Sequence, residues 1–230
     1  MFAINHAATA LVLKKAYPKV SLVWLLVSVQ AVELLWVALN FTGVERTDTE
    51  STIRSVRDIH LSHMPYSHSL ATSALVALVA WLGFRAAGRN QLGAAVGLGV
   101  MSHIVLDVLT HAPDIAIAPG IGAPMLGLGL YGAAPLLAFA VELAFGILCW
   151  IVYRGGSALL AAIVLFNLAN VSLFSDRIPG PEAWLGGRPI LLAGVILGQI
   201  VATLLVVGIL ARRTPGELSS SPNAMASTAH

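Results

Sequence analysis

The 230-residue chain is poor in charge. Asp, Glu, Lys and Arg supply 10% of it, where an ordinary soluble domain carries about 25%. Hydrophobic residues fill 57%, and the mean hydropathy is +0.85. These values exclude a conventional water-soluble domain and point to a polytopic membrane protein. The formal net charge of +2 is too small for the electrostatic footprint of a nucleic-acid binder, so Lys and Arg are read here for orientation. The single cysteine, Cys149, lies in an apolar run. One cysteine makes no intramolecular disulfide and no cysteine-built zinc site; Cys149 reads as a small buried hydrophobe. A cleaved signal peptide is not expected, because no charged segment precedes an apolar core and a small-residue cleavage site. No internal repeat is present, which removes support for an inverted-repeat transporter.

What is present is a series of apolar runs. A bilayer core takes about 20 such residues per helix. Runs fall at about 3–16, 20–42, 68–87, 92–112, 133–153, 157–174 and 189–211. The expected fold is all-α, a polytopic transmembrane helix bundle of about six to seven spans over residues 1–213. The first run is short enough for a partial or tilted helix. The Ser-rich segment 214–230, "TPGELSSSPNAMASTAH", reads as a disordered cytoplasmic tail. Lys14, Lys15 and Lys19, Arg85 and Arg89, Arg154, and Arg212 and Arg213 all fall on one side of a seven-span arrangement. The excess of Lys and Arg makes that side cytoplasmic.

Charged and imidazole groups within spans are costly and normally face a protein interior or a water-filled cavity. His6 opens the first run, Glu33 lies in the second, and His68 opens the third; His103, Asp107 and His111 lie in the fourth, and Glu142 in the fifth. Glu33 is about 13 residues, roughly 20 Å, along an outward-running helix. His6 and His68 start inward-running helices at their outer ends, and His103 to His111 fill the outer half of an outward-running one. The agreement in depth across four helices implies one polar cavity open to the extracytoplasmic face.

The stretch "SHIVLDVLTHAPD", residues 102–114, sharpens this expectation. His103 and Asp107 are four apart and share a helix face. His111 follows one turn on, and Pro113 disfavours helix at residue 112. Imidazole nitrogen and carboxylate oxygen are ordinary zinc ligands, and a catalytic zinc needs three protein ligands and an open position. His103 and Asp107 supply two, and His68, His6 or Glu33 can supply the rest from facing helices. The competing structural readings are a hydrogen-bonded His103–Asp107 pair that joins spans, a buried protonated Glu33, a helix-start role for His68 with Ser67 and Ser69 as caps, and a turn role for Asp114. Asn167, Asn170 and Gln199 read as interhelical hydrogen-bond partners.

"PYSHSL" and "SHIVLDVLTHAPDIAIAPG", followed by "GLGLYGAAP", resemble a family of small bacterial integral membrane proteins known as membrane-bound metal-dependent hydrolases, one branch of which is LexA-regulated. "MFAINHAATALVLKKAYPKVSL" and "QAVELLW" are similar to it as well, and the likeness covers residues 1 to about 145. The resemblance implies that His6, the acid at Glu33, His68, His103 and Asp107 hold a metal ion, and that His63 occupies a ligand-type position. The chain departs from the pattern in two places. Glu33 stands where Asp is usual, and Tyr131-Gly132-Ala133 where Trp-Asn-Ser is usual.

The resulting expectation is a metal-dependent hydrolase of the bacterial cytoplasmic (inner) membrane. It would hold a divalent ion, most simply zinc, and act from outside on a membrane lipid or lipid-linked substrate, with a phosphoester among the candidate bonds. The ion would activate water and polarise the scissile group. Glu33 or His63 would take the proton, and His111 would protonate the leaving group. The alternatives are a metal-ion or proton transporter or channel, since intramembrane His and carboxylates also mark ion pathways, and a non-catalytic structural membrane protein.

Overall fold

The computed structural model describes residues 1–122 and 124–213; the expected tail 214–230 lies outside the described residues. The chain is mostly helical, 67% by residue. In order, it forms α1 (Ala3–Ala16), α2 (Leu22–Val29), α3 (Ala31–Phe41), a hairpin of β1 (Arg46–Thr49) and β2 (Ile59–His63), α4 (Leu70–Ala86), α5 (Asn90–Thr110), the single turn α6 (Leu130–Ala133), α7 (Pro135–Tyr153), α8 (Ser157–Leu168) and α9 (Pro189–Leu210). Local chemistry sets several boundaries. Pro135 and Pro189 open α7 and α9, where a missing N–H costs nothing. The Ser69 hydroxyl accepts from the Thr72 N–H at the start of α4. Helix α5 ends at Thr110, and His111 is already extended at ψ 156°, two residues before Pro113.

Helices α5, α7 and α9 are long and apolar enough to cross a membrane, and α2 with α3 makes a fourth if that pair, bent by 52°, is one span. The expected six to seven spans are therefore not confirmed. Helices α1, α4 and α8 have 14, 17 and 12 residues. At 1.5 Å per residue they rise about 21, 26 and 18 Å, short of a hydrocarbon core about 30 Å thick. Large apolar side chains nonetheless face outward on most of these helices, among them Leu75 and Val79 on α4, Leu136 on α7, Leu165 on α8 and Leu205 on α9. That belt is what a lipid-facing surface requires and a soluble surface avoids.

The short first helix sits at the centre. Helix α1 contacts α2, α5, α7, α8 and α9. Its Ala7, Ala8, Ala10 and Leu11 are wholly buried, because small side chains let neighbouring backbones approach. Away from the site, Leu11, Leu22, Leu25, Ala95, Ile163 and Val207 form one apolar cluster. Polar links tie the helices together nearer the site: Asn5 donates to Asn167 at 2.9 Å, and Gln199 donates to Asn170 at 3.1 Å. These are the interhelical bonds expected of those residues.

Candidate metal centre

The break between α2 and α3 builds one side of the site. Gln30 is wholly buried at the break, and its side-chain amide donates to the Ala3 carbonyl at 2.7 Å. The bend places Glu33 in the first turn of α3. It also leaves the Val29 carbonyl at a helix end, where backbone acceptors lack intrahelical partners. His103 Nδ1 lies 2.8 Å from that carbonyl. A carbonyl only accepts, so Nδ1 carries the hydrogen, and the neutral ring presents its Nε2 lone pair to the site.

Four groups close a ring. Glu33 Oε2 lies 3.3 Å from His68 Nε2 and 3.5 Å from His103 Nε2. Asp107 Oδ2 lies 3.6 Å and 3.0 Å from the same two nitrogens. Carboxylate and imidazole thus alternate. The ligand atoms of a tetrahedral ion with bonds of 2.0–2.1 Å stand about 3.3 Å apart, close to these four separations. His6 Nε2 approaches the other Asp107 oxygen, Oδ1, at 3.2 Å, and the His6 ring stacks on His103 with centroids 3.8 Å apart. The Met1 nitrogen donates to the same Oδ1 at 2.5 Å and to Thr110 Oγ1 at 3.1 Å.

The protein alone leaves this cluster unsatisfied. His6 Nδ1 and Nε2, His103 Nε2 and Asp107 Oδ2 are buried without a hydrogen-bond partner. His103 Nε2 and Asp107 Oδ2 face each other at 3.0 Å without the alignment of a hydrogen bond. Buried polar atoms are nearly always partnered. Several orphans gathered around one carboxylate, Asp107, make a donor set of the kind that could hold a metal ion. Two overlapping groups can hold a metal ion, His6 with His103 and Asp107, and Glu33 with His68 and His103. Nitrogen and oxygen donors of this kind fit a divalent metal ion.

His68 is held by residues that sequence reasoning missed. Glu45 is buried; its Oε1 accepts from the Tyr66 and Ser67 N–H groups, each at 2.8 Å, and its Oε2 accepts from the Ser67 hydroxyl at 2.5 Å. Having given its proton to Glu45, the Ser67 oxygen accepts from His68 Nδ1 at 3.0 Å. The carboxylate–hydroxyl–imidazole chain fixes the tautomer that aims Nε2 at the ring. Such partners behind a metal ligand orient it and raise its basicity. A carboxylate in a mixed-charge loop gives no periodic signal, so nothing in the sequence singles out Glu45, and Ser67 reads as a cap. Glu142, in α7, plays a comparable anchoring part. It accepts from Phe2 N at 2.9 Å, Asn5 Nδ2 at 2.6 Å and the Tyr131 hydroxyl, and so fixes the start of α1 beside the ring.

The expected proton-transfer residues are placed unequally. Glu33 is in the ring. His111 caps α5, with Nε2 3.7 Å from Asp107 Oδ1 and Nδ1 3.7 Å from Asp114 Oδ1. His63 is not brought to the site. It ends β2 opposite Arg46, exposed to solvent, and does not line the cavity. Its neighbour on the hairpin, His60, does. The cavity holds about 730 Å³; His6, Glu33, His68 and His111 are among its polar lining, while Trp36, Leu61, Leu173, Leu192 and Ile196 supply apolar wall.

Compared with known proteins, the chain matches no family model, no curated protein and no solved structure. Fold and site define a class: a helical protein with helices long and apolar enough to cross a membrane, in which a buried imidazole–carboxylate cluster able to hold a metal ion lies beside a largely apolar cavity.

Proposed function

We propose that the protein is a membrane-embedded, metal-dependent hydrolase that acts on a lipid or lipid-linked substrate from the extracytoplasmic side of the bacterial inner membrane. One observation carries the reading. The orphaned atoms of His6, His103 and Asp107 converge with Glu33 and His68 beside a cavity whose walls are mostly apolar. His68, His103 and Asp107 would hold a divalent ion, with zinc favoured by nitrogen and oxygen donors and a fourth position left open to water. When bound, the ion supplies Lewis-acid activation of water and of the scissile group. The chain's own residues do the rest. Ser67 and the Val29 carbonyl aim two imidazoles. Glu33, 21% exposed on its cavity side, is placed to accept a proton. His111, at the cavity edge, is placed to return one. The apolar wall suits acyl or prenyl chains, and a phosphoester is within the chemistry of such a site.

The membrane placement draws on the same arrangement. Lys14, Lys15, Arg85, Arg89 and Arg154 lie at or just beyond the ends of α1, α4 and α7 remote from the cluster, which supports a site that faces outward. Six or seven membrane segments remain part of this proposal, with α1, α4 and α8 as short or tilted ones. A transporter would need a polar route on both sides of the cluster. The apolar cluster of Leu11, Leu22, Leu25, Ala95 and Val207 on the inner side supports a one-sided site instead.

The test is metal analysis of the purified protein in detergent, wild type beside His103→Ala and Asp107→Ala. Wild type is expected to retain a divalent ion through gel filtration, and each variant to lose it. Metal near zero in all three would overturn the proposal.

A further inference from the structure

The ligand set is larger than one ion needs, and Asp107 divides it. Its Oδ2 faces His103 and His68 at 3.0 and 3.6 Å. Its Oδ1 faces His6 at 3.2 Å and His111 at 3.7 Å. The two oxygens of one carboxylate therefore serve two separate groups of imidazoles. His103 belongs to both ligand groups, but its Nδ1 is committed to the Val29 carbonyl. It has one lone pair to offer and cannot serve two ions. Asp107 can.

We propose that the centre is dinuclear, with Asp107 as the bridging carboxylate; this rests on the metal-dependent reading above. One ion is held by His68, His103 and Asp107 Oδ2, with Glu33 beside it. The second is held by His6 and Asp107 Oδ1, with His111 as its ligand from the cavity side in place of the proton-donor role given to it above. Independent support comes from His6. It is 2% exposed, and both of its ring nitrogens lack a hydrogen-bond partner. The four-membered ring neither needs it nor satisfies it. The Met1 nitrogen competes for Oδ1 at 2.5 Å, so the second ion must displace or share that contact, and the second station is expected to bind more weakly than the first. The inference also narrows the substrate class. Paired ions about 3.5–4 Å apart clamp the attacking and leaving oxygens of an in-line displacement, so the bond of choice is a phosphoester rather than a carboxylic ester.

The experiment is titration of chelator-stripped, full-length protein in detergent with Co(II). Bound metal is counted by mass spectrometry, and coupling between ions is read by electron paramagnetic resonance. Wild type is expected to bind two ions per chain in two steps, with the signal of the first reduced by exchange coupling as the second enters. His6→Ala is expected to bind one ion, uncoupled. One ion at saturation in wild type, two uncoupled ions, or two coupled ions retained in His6→Ala would each overturn the dinuclear centre and leave a mononuclear hydrolase standing. No ion in wild type would overturn both. The wild-type coupling signal decides the matter even if His6→Ala fails to fold.

Discussion

The tautomer of each imidazole decides whether it can be a ligand at all, and here two residues outside the cluster make the choice. Ser67 sets His68, and the Val29 carbonyl sets His103. Ser67→Ala removes the acceptor for His68 Nδ1 and strands Glu45. Loss of such an outer partner typically weakens metal affinity 10–100-fold, and a fall of that order is expected in a competitive zinc titration. Ser67→Thr, which keeps the hydroxyl, should restore most of it. A purely capping role for Ser67 predicts no change in zinc affinity for either variant. At this scale the sequence is legible where helical spacing operates. His103 and Asp107 four apart announce a shared face, and Glu33 and His68 announce themselves as costly groups beside apolar runs. Glu45 does not, because it reaches the site by the fold of a loop and not by periodicity. His63 errs in the opposite sense. It sits close to "PYSHSL" in sequence, yet an exposed strand end carries it away from the cluster.

The elements meet closely where glycine permits it. A Cβ on Gly99 of α5 would come within 2.8 Å of the Ser28 Cβ on α2. The backbones of α2 and α5 must lie this near for His103 to reach the Val29 carbonyl one turn further along. Gly99→Val is expected to cost about 1–3 kcal/mol of stability, as overpacking of a tight contact does, and to weaken metal retention with it. Gly198 on α9 has nothing within 4 Å of its would-be Cβ. Gly198→Ala should leave the melting temperature in detergent unchanged or slightly raised, since the substitution lowers the entropic cost of a helix. A melt of Gly99→Val that matches wild type would remove the close-contact argument. Hydropathy marks each longer helix of this bundle, including α1, though it reads α2 and α3 as one run and misses the single turn α6; length and burial are another matter. Nothing in the apolar run 20–42 marks the bend at Gln30, which depends on a tertiary bond to Ala3. The run at 3–16 reads as a marginal span, although its alanines make it the central packing element.

For the whole molecule, the decisive question is which side of the membrane the cavity faces, and the single cysteine makes it easy to ask. Cys149 is buried, so an introduced thiol can be read against a silent background. Asp48→Cys, on the exposed hairpin beside Thr49, is expected to react with a membrane-impermeant reagent in intact cells, and a cysteine at Lys15 only after lysis. The reverse pattern would invert the orientation and bring the cavity to the cytoplasm. The hairpin itself hangs from a closed base. Glu45, just before β1, binds the Tyr66 and Ser67 backbone, just after β2, so the chain between 46 and 65 leaves and returns through one clasp that also carries His68. Exposed positions of that loop, His60 and Ser62 among them, can therefore change without moving His68. Under the proposed reading, the metal-holding floor and the hairpin rim are separable parts, and changes at exposed hairpin positions are expected to alter substrate preference while metal binding stays in place.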